Sequence, residues 1–572
     1  MKEKNGWLRI GGYRVAEVIF FLLIAFYFSG GLPFLPESWN AVFNTTPKIY
    51  RKLFVYVAAA AVILGLVLFE WARWDKEIGT RSFLIRVIET WESASMFWIT
   101  GFFVLFGFWW TASGLLRHAA LQTSFDMAIF TQAIWNTTQG DWFYSSIKGG
   151  ICLLGDHFAP LLAVFALPYR AWPEPGLLLA IQAFAVASCV FPLARIVRKS
   201  GQSPSWAVLF CLAFVLSLPV RNAVRFDFHP EVAAMPFLFW TFVFLEERKT
   251  LQASFFLAIA LMAKENIATI AFAFGLYATF FMSSPKPTSS VGDAECQARQ
   301  RVFLNPVRLW GIGWMVFSVV YFFTIIHVLI PKLSGAPYAY LDGNFTSWLQ
   351  AGWGPFIKHV LRPDTFEYLV KIYGPLAFSS IFAPAPFILS LPTLAQNILS
   401  RNEMTRSIFF QYTATLTPFV LISSVMALAK LRFFRRYAAY LILLTAVLMS
   451  GGSEVYPMRR QWISITPHTK QVRAVLRAIP SEFSLRTHEF YAPHAANRKE
   501  LHIYENNHLK EGGSWKARHA DYVVIDSALL KEHYASEKQI LLKSGYGLSL
   551  EEDGLAIFRR MNAAIPSKKV AL

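Results

Sequence analysis

The sequence predicts an all-α, polytopic membrane bundle followed by a small α/β domain, and three observations carry that expectation. Of 572 residues 55% are hydrophobic and only 16% charged, with 53 Phe and 19 Trp, a balance typical of chains that face lipid rather than water. Uncharged runs recur at close to the roughly 20 residues that a helix needs to cross a bilayer. Beyond residue 450 those runs stop and short strand-like pieces replace them. The chain carries 54 Lys and Arg against 36 Asp and Glu, a net charge of +18. Because the basic residues flank apolar runs they read as topology signals, and no nucleic-acid partner is expected. Cys152, Cys189, Cys211 and Cys296 are scattered without CxxC or Cys/His ligand spacing, so neither a structural disulfide nor zinc is expected.

Residues 1–94 hold two leading spans, at 15–35 and 53–72, and a connector at 71–86 whose Arg73, Lys76, Arg81 and Arg86 assign it to the cytoplasm. The polar, basic start lacks a small-residue cleavage site after its first apolar run, so it reads as a retained anchor with a cytoplasmic N-terminus. The core, 95–450, opens with an outward span whose segment Phe97–Leu116 is uncharged. A first outer loop follows at 117–175. Within it Met127, Phe130, Ala133 and Ile134 recur at helical spacing after Asp126, which predicts a short interfacial helix ended by Gln139-Gly140. The apolar piece at 157–172 reads either as a span or as an interfacial helix, and the choice decides on which side the basic cluster RIVRK (195–199) lies. Further runs at 176–194, 205–220, 232–245, 251–263 and 266–282 are short, as around an aqueous cavity. Their connectors alternate: 221–231 outside, 246–249 inside, 263–266 outside. The stretch 283–301 is rich in Pro, Ser and charge and reads as a cytoplasmic linker. After the run at 309–330 comes a second outer loop, 331–368. Pro375, Pro384, Pro386 and Pro392 break the segment 369–400 into a hairpin of spans or a re-entrant piece. The runs 408–429 and 437–450 flank the basic KLRFFRR, bringing the count to about 13 spans. By parity the tail, 451–572, is an extracytoplasmic α/β domain. In it HADYVVIDS (519–527) reads as a buried strand and GLSLEEDGLAIFRR (547–560) as a hairpin turning at Asp-Gly. It contains no nucleotide-binding glycine loop.

Four groups of ionisable residues fall on loops assigned to the outer face. They are Asp126; Asp156 with His157; Arg221, Arg225, Asp227, His229 and Glu231; and Lys264 with Glu265. Such groups are costly in a membrane bundle unless they pair or line a wet cavity. Carboxylates beside cations suit a reaction in which a base activates a hydroxyl while cations hold a departing phosphate. A plainer reading stands beside each. Asp126 could cap its own helix, Lys264-Glu265 could be an interfacial ion pair, and Arg221 and Arg225 taken singly could be interface anchors. Asp156-His157 fits neither a triad, for want of a G-x-S-x-G elbow, nor a zinc site. Asp141 and His118 read as solvated polar positions. No cofactor or metal is indicated.

The pattern SFDMAIFTQAIWN (124–136), followed by GDHFAP (155–160), FHPE (228–231), KEN (264–266) and Gln411-Tyr412 before Pro418, resembles the membrane family called domain of unknown function 2079, over residues 95–525. More distantly, an acid just after an outward span, then a helix ending in Gly-Asp-Trp and an apolar Pro-containing segment, is similar to the polyprenyl-phosphate-dependent glycosyltransferases of the GT-C fold. That resemblance implies transfer of a sugar from a polyprenyl-phosphate carrier to a lipid, glycan or protein acceptor on the outer face of the cytoplasmic membrane. By position Asp126 is the counterpart of the acid that serves those enzymes as base or acceptor-orienting group. Met127 follows it where many relatives carry a second acid, which leaves Asp156 or Glu231 as candidates for that role. The expected site is therefore Asp126, Asp156 and His157 for chemistry, with Arg221, Arg225, His229, Glu231, Lys264 and Glu265 for binding. Two other classes use the same residues. A transporter or flippase for a lipid-linked or anionic solute is expected to show inverted repeats, and none is seen. A non-catalytic scaffold would tolerate replacement of the membrane acids.

Overall fold

The computed structural model describes residues 95–282, 305–341, 352–430, 465–504 and 520–561. The two leading spans, the linker at 283–301 and the run at 437–450 lie outside these residues. Among the described residues four stretches are long and apolar enough to cross a bilayer: Ser95–Ala119, Pro175–Lys199, Pro306–Ser334 and Gln411–Lys430. A fifth candidate is the pair Pro204–Leu216 and Leu218–Arg225, bent by 51°. The bend falls where Ser217 leaves helical geometry and Pro219 enters the first turn of the second helix, removing an amide donor. The first span is α1, Ser95–Ala119; its polar end, Arg117-His118, leads into α2, Phe125–Thr138. Gly140, with φ +98°, supports the turn after α2, as the Gln139-Gly140 signal predicts.

The segment left open by the sequence resolves into α3, Leu162–Ala171, only 10 residues long. At 1.5 Å per residue it reaches roughly 15 Å, half a hydrocarbon core, so it does not span. The basic cluster agrees. Glu247 takes Arg195 at 2.6 Å, Lys199 at 3.3 Å and Lys249 at 2.8 Å, so RIVRK and the connector at 246–249 share one end of the bundle. Two further helices, α4 (Ile267–Phe280) and α5 (Pro306–Thr324), cross at glycines. A Cβ on Gly275 would lie 2.6 Å from the Gly311 carbonyl, and one on Gly311 2.4 Å from Thr279 Oγ1, so the two backbones touch because neither position has a side chain. The proline-rich segment 369–400 is a chain of short helical turns closed by Leu391–Leu399.

The C-terminal domain holds a five-stranded sheet. Its strands are β1 (Leu485–His488), β2 (Leu501–Tyr504), β3 (Tyr522–Asp526), β4 (Tyr546–Glu552) and β5 (Leu555–Arg560), in the order β2-β1-β3-β5-β4. The first three run parallel and the last two form the predicted hairpin. Asp553 and Gly554 both take positive φ at its turn, +48° and +81°, the geometry that suits the twist of a hairpin. β3 is buried along its whole length. Tyr522 and Val524 pack on one face and Val523 and Ile525 on the other, each against its own apolar cluster, which explains an unbroken apolar run in a strand. The first cluster also takes in Ala128 of α2, so the domain is packed against the bundle.

Candidate functional site

The ionisable motifs converge at one end of the bundle, opposite the Glu247 cluster, and they interlock. In FHPE, Phe228 is fully buried against Phe130 and Phe165, which fixes the backbone that presents His229 and Glu231. Glu231 takes Lys264 Nζ at 2.8 Å. In KEN the three side chains diverge. Lys264 goes to Glu231, Glu265 to the GDHFAP loop, and Asn266 donates to Gln396 at 2.9 Å. Glu265 is the hub: it accepts from His157 Nδ1 at 2.9 Å, the Phe158 amide at 2.9 Å and the Tyr338 hydroxyl at 2.6 Å. Burial pushes its carboxyl up, but His157, Lys264 and Tyr338 outweigh that and hold it at about 2. Gly155 opens its motif because a Cβ there would stand 2.7 Å from the Ser334 amide nitrogen. That close approach brings Tyr338 and Tyr340 onto the site. Asp156 pairs with Lys148 at 2.9 Å and accepts from Tyr340 at 3.2 Å, while the His157 ring stacks on Tyr340 at 4.5 Å. Asp156 and His157, adjacent in sequence, thus share Tyr340 but form ion pairs with different partners, Lys148 and Glu265.

Asp126 lies in the first turn of α2 but does not cap it, and Ser124 makes no capping bond either. The cap comes from a distant loop. Asp227 Oδ2 accepts from the Ser124 amide at 2.9 Å, the Ser124 hydroxyl at 3.1 Å and the Met127 amide at 3.4 Å. Freed from that task, Asp126 faces His229 Nε2 at 3.5 Å with its side chain 37% exposed. The other ring nitrogen, Nδ1, stands 2.9 Å from the Asp227 carbonyl, which only accepts. Nδ1 therefore carries a proton. Burial lowers the His229 pKa, but the hydrogen bond and charge of Asp126, with the charge of Glu231, outweigh it and raise that pKa, which favours an imidazolium facing a carboxylate. Burial raises the Asp126 pKa, yet the His229 hydrogen bond and the charges of His229, Lys264 and His157 bring it below the ordinary value. The site keeps an ionised, accessible carboxylate.

Lys264 and His157 already face Glu231 and Glu265. Arg225 differs: among the described residues it has no carboxylate partner, and its charged neighbour is Arg117. Arg117 in turn stands 3.9 Å from Asp227. Arg221 lies within electrostatic reach of Arg225, so three arginines form one group, joined through Arg117 to the Asp227 that caps α2, a concentration of positive charge that favours an anion. His118 corrects its sequence reading. It is half-buried and engaged: its ring stacks on His494 at 3.9 Å and its Nδ1 meets Thr123 at 2.9 Å. Asp141 is half-exposed but paired, with Lys499 at 2.7 Å.

The sequence reading missed Lys148, Tyr338, Tyr340 and the capping role of Asp227, as well as Tyr412, whose hydroxyl lies within electrostatic reach of Lys264, Asp126 and Glu231. Only Gln411-Tyr412 carried a signal, as part of a motif. The others are brought in by contacts such as the 184 residues of chain between Asp156 and Tyr340, which no local pattern reports. The described residues hold no group of three or more His, Cys, Asp and Glu arranged for a metal ion, and Cys152, Cys189 and Cys211 are free thiols.

A comparison with curated proteins finds no match. Among solved structures the chain is similar to the crystal structure of ArnT from Cupriavidus metallidurans bound to undecaprenyl phosphate. The TM-score is 0.48 and the identity 11%, over 81% of this chain and 98% of that one. For the apo state of the same protein the values are 0.45 and 12%, with the same coverage, 81% and 98%. At such values nothing about this chain's chemistry follows from either. The profile of the family described as predicted membrane protein (DUF2079) matches residues 117–557, a stretch that contains GDHFAP, FHPE, KEN and the first four strands of the C-terminal sheet, and the chain belongs to that family.

Proposed function

We propose that the protein is an integral membrane glycosyltransferase that moves a sugar from a polyprenyl-phosphate carrier to an acceptor hydroxyl. One observation carries the reading: an accessible, ionised Asp126 locked to His229 beside an arginine group in which Arg225 has no carboxylate partner among the described residues. Asp126 accepts the acceptor O–H and takes its proton as the new bond to the anomeric carbon forms. The bond from that carbon to the carrier phosphate breaks, and the departing phosphate oxygen carries the electron pair towards Arg225. His229 holds the Asp126 carboxylate in place, while Glu231, Lys264, Glu265 and His157 form the hydrogen-bonded floor on which donor and acceptor meet.

The charge pattern supports an extracytoplasmic location for this end. RIVRK and Lys249 gather at the opposite end around Glu247, which by the positive-inside rule faces the cytoplasm. A lipid-linked donor fits that side, where nucleotide sugars are not supplied. The test is Asp126→Asn in purified full-length protein, assayed with a panel of undecaprenyl-phosphate-linked sugars and a membrane extract as acceptor source. Transfer falls by at least about 100-fold, the lower part of what a positioned base contributes, while the protein remains inserted and cooperatively folded. An Asp126→Asn protein with full activity overturns the assignment.

A further inference from the structure

The ion pairs at the end of the bundle opposite Asp126 do more than mark topology. The helix Val190–Lys199 sets Arg195, Arg198 and Lys199 at i, i+3 and i+4, on one face, and the connector 246–249 adds Arg248 and Lys249. Those five cations stand against two acids, Glu246 and Glu247. Glu246 turns aside to accept from the Tyr277 hydroxyl at 2.8 Å. Glu247 draws the cluster together: its side chain, 8% exposed, takes Arg195 Nη2 at 2.6 Å, Lys199 at 3.3 Å and Lys249 at 2.8 Å, while the three cations stay nearly half exposed. One sheltered carboxylate thus preorganises three accessible cations. Their charge exceeds its own.

An aromatic shelf adjoins these cations. The Arg195 guanidinium stands 5.9 Å from the centre of the Trp240 ring and 5.7 Å from that of Phe244, and Lys249 Nζ stands 5.8 Å from Phe244, all within cation–π range. Phe244 stacks on Phe256 at 5.4 Å, and Phe256 meets Phe255 edge-on at 5.3 Å. Phe255 is 60% exposed, and Leu251, one turn before it on the helix Thr250–Leu261, is 80% exposed. The surface therefore passes without a break from cations to bare apolar side chains. We infer that it is a binding site for an anionic phospholipid, whose phosphate sits among Arg195, Lys199 and Lys249 while an acyl chain lies along Phe255 and Leu251. Each half selects. A free phosphate has nothing to set on the apolar edge, and a zwitterionic lipid brings its own ammonium group into a cluster that is already cationic. The site lies at the other end of the bundle from Asp126 and stands whether or not the protein transfers sugar.

The test is a titration of purified full-length protein in detergent, read by native mass spectrometry, with phosphatidylglycerol, phosphatidylcholine and inorganic phosphate as probes. The first phosphatidylglycerol binds at least about tenfold tighter than phosphatidylcholine, and millimolar phosphate does not displace it. Lys199→Gln with Lys249→Gln weakens that binding by roughly 25-fold, about fivefold for each cation beside an anionic headgroup, and leaves phosphatidylcholine binding within about twofold. Both lysines are partly exposed, and the Arg195–Glu247 pair survives their loss. Arg198→Gln breaks no pair with Glu247 and still weakens phosphatidylglycerol binding by about fivefold, so the inference is tested even where the lysine variant fails to fold. Equal affinity for the two lipids, or phosphatidylglycerol binding unchanged in these variants, overturns it. Displacement by inorganic phosphate overturns it as well, in favour of a soluble anion.

Discussion

Replacing Asp227 by alanine tests whether the site is assembled by a cap supplied from outside its own helix. Asp227 is 0% exposed, accepts three bonds from the first turn of α2 and faces Arg117 at 3.9 Å. Two costs follow from its loss. Breaking a buried ion pair from one side costs roughly 3–5 kcal/mol, and losing a helix cap about 1 kcal/mol. Arg117 keeps its bond to the Gln122 carbonyl at 2.9 Å, which draws the total of about 4–6 kcal/mol towards its lower end, about 4 kcal/mol. The double substitution Arg117→Met with Asp227→Ala removes the stranded charge but retains the capping loss and gives up the Arg117 bond to Gln122, about 1 kcal/mol each, so it recovers about half of the destabilisation. Unfolding in detergent, followed by tryptophan fluorescence against a denaturant series, reads both values. A cost below about 1 kcal/mol for Asp227→Ala, or a double variant no more stable than the single, refutes the assignment of Asp227 as the anchor of α2.

Glu265 makes stability depend on acid. Its folded carboxyl titrates at about 2 against an ordinary 4.5, so its contribution is complete above 4.5 and is lost as pH falls through about 2. Glu265→Gln flattens the melting temperature against pH across that window, and a wild-type slope retained in the variant counts against the hub. Gly155→Ala sets a Cβ 2.7 Å from the Ser334 nitrogen and 2.9 Å from the Leu333 carbonyl carbon, which costs about 1–3 kcal/mol and lifts Tyr338 and Tyr340 from the site. Gly101→Ala, with nothing within 4 Å of its Cβ, is the control and melts no lower than wild type; equal losses in both variants discredit the close approach.

The amphipathic spacing after Asp126 and the Gln139-Gly140 stop were enough to place α2, because both are local properties of the backbone. The Asp-Gly turn and the apolar run of β3 were legible for the same reason. So was the clustering of acids and bases on alternate loops, since chain direction reverses with every crossing. The length of α3 was not decided by hydropathy, since Leu162–Ala171 is apolar throughout most of its length; the ion pairs of Glu247 show that the following basic cluster shares an end of the bundle with the connector at 246–249.

The sequence by itself determined which residue types could do chemistry and at which end of the bundle they gather. It could not determine who pairs with whom. Asp126 read as a possible cap and Lys264-Glu265 as a pair with each other. Only the fold showed that Asp227 caps α2, that Lys264 and Glu265 reach different loops, and that the tail packs on the same helix. The physical reason is that helix starts and turns depend on neighbours along the chain. An ion pair in a poorly solvated site instead goes to whichever partner packing brings within hydrogen-bond reach, here 33 residues away for Lys264 and 108 for His157.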